Sequence, residues 1–577
     1  MNAVCQRVFA VVLLCLCVSV NAEEWSRFRG VNGQGVAAAS DAIPTSWSAS
    51  ANLSWKTELP GPGASSPIVV AGKAFVTCYS GYGLSQEKAG KIENLVRHLV
   101  CVDVATGEKL WQQDVKASLP EDPYTGIGVT AHGYASHTPV SDGTNVYAFF
   151  GKSGVHAFDL EGNKLWSAEV GQESDPAKWG SASSPIIDRD LLIVTAAAES
   201  QSMIGFDTAT GKEVWRQEAK GLDNMWGTPA LVATADGKRE LVMCVAKEIW
   251  GMDPTTGKLK WFAKATNAQQ SYSSVVTDGE RIFAMTGRGG GSVAVDAGGN
   301  GDVSKTKTVW EGKDTASFST PVGHGSKLYS VSRGVMTVVD QSNGKSVTKF
   351  RLRGAKQTGG RFGSLDYASP IVVGDRLFYL NGSGQMFVFD LKDELKQVAV
   401  NQVTNEKETF WGSPAVSDGK LLLRSSKHLY CVTDKGETVT ADEPVVAAAE
   451  PEEEAGGRGS RGGGAGAGRP GAGGQGAGRQ GAGGGRRFDP ISIFNGIDQD
   501  KDDKVTEKEL EGHRMADRLM TLDKDGDKVI STDEFRAGIG SLFRRGGGGG
   551  RAGGGRPGGR GNSNRPDRPQ RPEMAGQ

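Results

Sequence analysis

Apolar residues along this chain come in short runs broken by Gly, Asp and Pro, and the runs repeat. A small residue followed by Pro opens most units: Ser66-Pro67, Thr138-Pro139, Ser184-Pro185, Thr228-Pro229, Thr320-Pro321, Ser369-Pro370 and Ser413-Pro414, with Ser274-Val275 in the remaining place. From Pro139 on, the openings are 46, 44, 46, 46, 49 and 44 residues apart, and the earlier interval of 72 must hold an insertion. Each unit reads as a strand, a turn such as Asp142-Gly143 or Asp418-Gly419, a second strand, a third strand ending in Asp, and a tight turn before Trp. Four short strands per such interval are the arithmetic of a propeller blade. Eight units are present, but the last, Trp411 to Gly436, stops before its fourth strand. The segment Leu53 to Leu59 supplies that strand and closes the ring, which removes an open sheet edge. Trp55, Trp111, Trp166, Trp215, Trp261 and Trp310, with Phe350, are expected to pack between neighbouring sheets.

The turns are clearest in Asp103-Val-Ala-Thr-Gly107-Glu-Lys-Leu-Trp111, Asp207-Thr-Ala-Thr-Gly211-Lys-Glu-Val-Trp215 and Asp253-Pro-Thr-Thr-Gly257-Lys-Leu-Lys-Trp261. This pattern resembles the PQQ-like repeat family, whose eight-bladed propellers occur in quinoprotein dehydrogenases and in the scaffold subunit of the outer-membrane β-barrel assembly machinery. Phe28-Arg29-Gly30-Val-Asn32-Gly33-Gln-Gly35-Val36 is similar to the N-terminal signature of a secreted branch of that family. The resemblance covers about Glu23 to Gly436 and implies an all-β propeller over 23–437. It leaves two activities open: a binding or scaffolding module, or a PQQ-dependent oxidoreductase acting on alcohols or sugars. The dehydrogenases would bring a vicinal Cys-Cys pair, and no such dipeptide exists here. Asp103, Asp159, Asp207 and Asp253 recur at the blade turns and read as structural. A binding role is therefore expected, with no catalytic residue and no PQQ. Three residues before the blade-opening position stand Trp226, Tyr272, Phe318, Tyr367 and Trp411, with Trp179 and Tyr134 slightly further upstream. At one mouth of the channel these rings would stack a planar ligand or a sugar.

The chain has 577 residues, and 66 Lys+Arg against 67 Asp+Glu leave no global field to attract nucleic acid. Arg7, an apolar run from Val8 to Val20 and Val20-Asn21-Ala22 read as a secretory leader over 1–22, so export or a periplasmic location is expected. No stretch is long enough for a transmembrane helix. Cys78, Cys101, Cys244 and Cys431 remain after the leader, too few for a disulfide framework, and a Cys78 to Cys101 bridge stays open. His132 and His137 lack the helical spacing of a zinc protease.

After Gly436 the composition changes. An acidic and then Gly/Arg-rich stretch over 438–487, and another Gly/Arg-rich stretch over 545–577, cannot bury enough apolar area to offset ordering, so both are expected to be flexible. Between them, 488–544 carries two twelve-residue acidic segments. Asp498, Asp500, Asp502, Thr506 and Glu509 place oxygens at loop positions 1, 3, 5, 9 and 12, with the Lys504 carbonyl at 7. Asp523, Asp525, Asp527, Ser531 and Glu534 repeat the spacing, with the Val529 carbonyl at 7. Two EF-hand Ca²⁺ sites are expected, because Ca²⁺ takes six to eight hard oxygens and the last Glu must reach across bidentately. Val505 and Ile530 would pair as a bridge between the loops. Position 6, usually Gly, is Asp503 in one loop and Lys528 in the other, where Lys should be strained by on the order of 1 kcal/mol. The whole reads as an exported propeller joined to a calcium-binding pair of EF-hands, with an envelope protein or polysaccharide as partner.

Overall fold

The computed structural model describes residues 24–437, apart from 31, 86, 126–128, 130–131, 176–177, 288 and 357–366, together with 502, 504–506, 508–510, 519–535 and 570–574. The leader at 1–22 and the stretch 438–487 lie outside the described residues, as do Asp498 and Asp500. The chain divides into two compact units, one of Met1–Gly456 with Pro566–Gln577, the other of Gly457–Arg565. Among the described residues no helix is long and apolar enough to cross a membrane.

The first unit is a ring of eight antiparallel sheets, each with four blade strands. Blade 1 comprises Ile68–Val70, Lys73–Ser80, Val96–Asp103 and Lys109–Lys116, and blades 2 to 7 repeat that order along the chain. Blade 8 has three strands from the end of the repeat, Ala415–Ser417, Lys420–Arg424 and His428–Val432, and takes its outermost from Leu53–Glu58, as the strand count requires. Inner strands such as Ile68–Val70 and Ile371–Val373 are buried throughout, while the outer strand Lys109–Lys116 is exposed or half-buried. In every blade the register of the last two strands slips once, beside the joining turn in blades 1 to 7, for example between Cys101 and Val102 and between Gly205 and Phe206, and between Leu53 and Trp55 in blade 8. Such bulges sharpen the local twist.

The blade turns lock each sheet to its neighbour. Asp103 Oδ1 accepts the Ala105 and Thr106 backbone N–H groups at 2.9 and 2.8 Å, and these bonds, Thr106 first, hold its carboxyl below the usual range. Its role is structural, as the repeat implied. The Trp of one blade then slides under the turn of the next. Trp55, Trp111, Trp166 and Trp310 donate Nε1–H to the carbonyls of Val104, Leu160, Thr208 and Gln341 at 2.8–3.0 Å. The turn glycine must lack a side chain there: a Cβ on Gly211, at φ +70°, would come within 2.5 Å of the Trp166 ring. Trp261 departs from this scheme and donates to Glu240 Oε2 of its own blade at 2.7 Å, because the next blade replaces the turn with an insertion whose strand Gly301–Asp302 pairs beside it.

All four described cysteines are buried free thiols, so the Cys78 to Cys101 bridge left open above does not form. Instead Arg424 of blade 8 reaches into blade 1, donating to the Thr77 carbonyl at 2.9 Å and contacting Cys78 Sγ at 3.6 Å.

Candidate functional site

Eight hydroxyls encircle the channel. The backbone N–H of Ser66 donates to Thr138 Oγ1, that of Thr138 to Ser184 Oγ, and so on through Thr228, Ser274, Thr320, Ser369 and Ser413, whose N–H returns to Ser66 Oγ. All eight bonds measure 2.8–3.0 Å. These are the small residues that open the repeats. The sequence showed their spacing, but a hydroxyl that pairs with the next blade leaves no local sign.

Two residues ahead of each hydroxyl stands a residue that lines the mouth: Ala64, Ser136 and Ala182 on blades 1 to 3, then Trp226, Tyr272, Phe318, Tyr367 and Trp411 on blades 4 to 8. The five expected aromatics thus come together. Neighbouring centroids lie 5.1, 4.9, 5.0 and 6.4 Å apart around the arc. Trp179 extends it, 5.6 Å from Trp226, whose indole N–H donates to the Gly180 carbonyl at 2.8 Å. Tyr134 does not join: it packs against Tyr79, Tyr82 and Tyr124 in a separate cluster over the blade 1 insertion. The arc and the hydroxyl ring line a cavity of about 140 Å³. Burial, with Tyr272 beside it, pushes the Tyr367 phenol up to about 12, so it stays a neutral donor.

Phe28 also lines the cavity. It belongs to a strap that crosses from blade 1 to blade 7 behind the hydroxyls, with a cavity of about 520 Å³ between it and the inner strands of blades 5 and 6. Trp25 pairs with Val69 of blade 1, and Arg27 donates to the Pro229 carbonyl of blade 4 at 3.3 Å. Arg29 donates to the Thr320 and Pro321 carbonyls of blade 6 at 2.9 and 2.7 Å, Gln34 holds Thr277 of blade 5, and Val36–Ala37 adds a parallel strand to blade 7. Burial drags the Arg29 guanidinium down to about 9. The motif Phe28 to Val36 is therefore a plug, a role that sequence reasoning missed because its partners lie hundreds of residues away.

His132 sits at the edge of the cavity, bonded to Ser136 Oγ at 2.6 Å and to the Trp179 carbonyl at 2.7 Å. Behind it a smaller cavity of about 40 Å³ holds His137, Ser181 and Glu199 in a chain. His137 Nε2 lies 3.0 Å from Ser181 Oγ, which donates to Glu199 Oε1 at 2.6 Å. Burial raises the Glu199 carboxyl to about 7 and lowers His137 to about 3. The serine stands between acid and imidazole, so the base is not oriented by the acid as a Ser–His–Asp triad requires.

In the second unit, Lys504–Thr506 pairs with Val529–Ser531, with Val505 opposite Ile530 as the loop spacing predicted. Val505, Leu510, Leu519, Leu522, Ile530 and Phe535 form a buried cluster. Asp523, Asp525 and Asp527 bring carboxylate oxygens within 4.8 Å of one another, and Lys528 adopts the left-handed φ of 67°. Glu534 accepts Ser531 N–H and Oγ–H at 2.9 and 2.7 Å, and its backbone hydrogen bonds, led by Lys524, lower it to about 2. In the first loop, Asp502 accepts the Lys504 N–H and Glu509 accepts from Thr506. Three carboxylates so close together, beside a fourth that stays ionised, are chemically suited to a hard divalent cation.

Fold and site define an eight-bladed β-propeller with a plugged channel and an aromatic mouth. A family model, PQQ_2, described as outer membrane protein assembly factor BamB, matches residues 96–350, from the third strand of blade 1 through blade 6. No curated protein sequence matches the chain. Among solved structures, BamB from Moraxella catarrhalis is similar at 13% identity, covering 67% of this chain and 99% of its own, with a TM-score of 0.46. Quinohemoprotein alcohol dehydrogenase from Comamonas testosteroni is similar at 11% identity over 73% of this chain and 82% of its own, with a TM-score of 0.37. The fold assignment rests on the strand order and the closed ring described above.

Proposed function

We propose that the chain is an exported binding module of the cell envelope whose aromatic mouth takes a neutral sugar ring of an envelope polysaccharide, and whose acidic loops hold two Ca²⁺ ions. The observation that carries the reading is the composition of the mouth: rings arrayed on one side, hydroxyls beneath, and no charged side chain among the described lining residues. Aromatic faces suit the C–H faces of a sugar, and hydroxyls suit its oxygens. The same lining does not fit PQQ, whose three carboxylates would call for Lys or Arg. The leader-like Met1 to Ala22 and the description of the matching family support an envelope location. Export also favours calcium, since extracellular sites work at roughly 10⁻⁴–10⁻³ M.

Titration of the intact chain with neutral and with anionic oligosaccharides, followed by tryptophan emission, tests the site. Neutral glycans should quench or shift the emission at millimolar concentration. Emission that responds only to anions, or to neither class, contradicts the reading.

A further inference from the structure

Outer strands of this propeller carry polar residues just after the blade Trp, or the Phe in its place: Lys56, Gln112, Ser167, Arg216, Glu311 and Arg351. Blade 7, with Ala399 in the Trp place, has the buried Val400 there, and blade 4 has Phe262, which is 9% exposed. The blade 4 outer strand Leu259–Lys264 is also more buried than that of blade 1 or blade 2. Two short parallel segments cover this edge. Gly301–Asp302 pairs with Trp261 and Phe262, and Met574 pairs with Leu259.

The second cover comes from far along the chain. The Gly221 N–H donates to the Gln570 carbonyl and the Leu259 N–H to the Glu573 carbonyl, both at 2.9 Å. Arg571 forks onto Glu248, Nε to Oε2 at 2.8 Å and Nη2 to Oε1 at 2.5 Å, and its guanidinium lies 3.3 Å from the Phe262 ring centroid. Glu248 is 6% exposed, and Trp250 Nε1 fixes its orientation with a bond of 3.0 Å. Among the described residues Arg571 is the one cation in an ion pair with it. A carboxylate so deeply set is costly without a countercharge, and a planar guanidinium both pairs with it and stacks on the ring below. Pro572 is buried and holds the segment extended, and Met574 packs on the blade 4 cluster around Trp250. Gly221 completes the fit, since a Cβ there would stand 2.9 Å from the Gln570 carbonyl and 2.6 Å from Trp250.

The structure assigns a peptide-recognition groove to the outer edge of blade 4, selective for an extended Arg-Pro-x-Met segment and filled by this chain's own Gln570–Met574. The groove reads the arginine through Glu248 and Phe262, the backbone through Gly221 and Leu259, and the methionine through the apolar wall. Because the described propeller repeat ends at Glu437, docking of Gln570–Met574 ties the intervening chain, with its acidic loops, to the propeller at both ends.

Amide hydrogen exchange on the intact chain tests this. The Gly221 and Leu259 amides should be protected, and Arg571→Ala, which removes no propeller contact outside the groove, should speed their exchange at least about tenfold while leaving other blades unchanged. A synthetic peptide spanning residues 566–577, added to the Arg571→Ala chain, should restore protection. Equal exchange in the parent and Arg571→Ala chains overturns the proposal. Protection in the parent that vanishes on dilution, together with a dimer in sedimentation, overturns the assignment of the occupant to the same chain. Glu248→Gln should weaken rescue by the peptide, and undiminished rescue would contradict the role given to that carboxylate.

Discussion

At the scale of single residues, the most informative groups are buried and titratable. Glu199 holds its proton up to about pH 7 in the folded chain, against 4.5 ordinarily, so its contribution favours the native state at low pH and is lost as pH rises from 4.5 to 7. His137, lowered from 6.5 to about 3, acts oppositely: the unfolded chain takes up its proton first, so stability is lost as pH falls below 6.5. His132, lowered by burial as well, adds to the second effect. Between pH 4.5 and 6.5 the two slopes partly cancel. Glu199→Gln removes one of them, and its unfolding free energy should then climb more steeply with pH, by up to about 1 kcal/mol per pH unit more than the parent. Denaturant titrations at several pH values check this. Arg29 gives a second prediction. Its replacement by Ala strands the Thr320 and Pro321 carbonyls in the channel, and a loss of about 3 kcal/mol is expected in the same assay.

At the scale of elements, what was legible in the sequence was what is local or repeated. The blade count, the donation of Leu53–Glu58 to blade 8 and the pairing of Val505 with Ile530 all follow from spacing. The arc of aromatics followed too, because a fixed offset before the inner strand becomes a fixed place at the mouth. Contacts that close over long separations were not legible. Arg29 meets its carbonyls 291 and 292 residues away, and Tyr134 was drawn into an insertion whose packing no repeat describes. The stretch 545–577 read as flexible from composition, yet Gln570–Met574 lies against blade 4, and Phe262 in place of a polar residue did not mark that blade out, because blade 7 has Val400 at the same place. The locking turns are testable at this scale. Gly211→Ala combines a left-handed backbone with a Cβ 2.5 Å from Trp166, and thermal or chemical unfolding should show a loss of about 2–3 kcal/mol. The same change at Gly143, where a Cβ meets nothing within 4 Å, should cost only the backbone strain, about 1 kcal/mol.

At the scale of the whole molecule, a closed ring of eight blades is a rigid frame for a mouth whose chemistry varies around its circumference, small on blades 1 to 3 and aromatic on blades 4 to 8. The plug behind it makes the channel a cup instead of a pore. In the second unit, calorimetry of the intact chain with Ca²⁺ should give binding that Glu534→Gln weakens at least about tenfold, because the final carboxylate of such a loop supplies two oxygens. The central claim is that the cup grips a neutral sugar ring, and saturation-transfer NMR on a neutral oligosaccharide mixed with the intact chain tests it most directly. The account predicts strong transfer to the C–H protons on one sugar face, abolished in a Trp226→Ala, Tyr272→Ala chain that remains folded. No transfer, or transfer undiminished by that pair of changes, would contradict it.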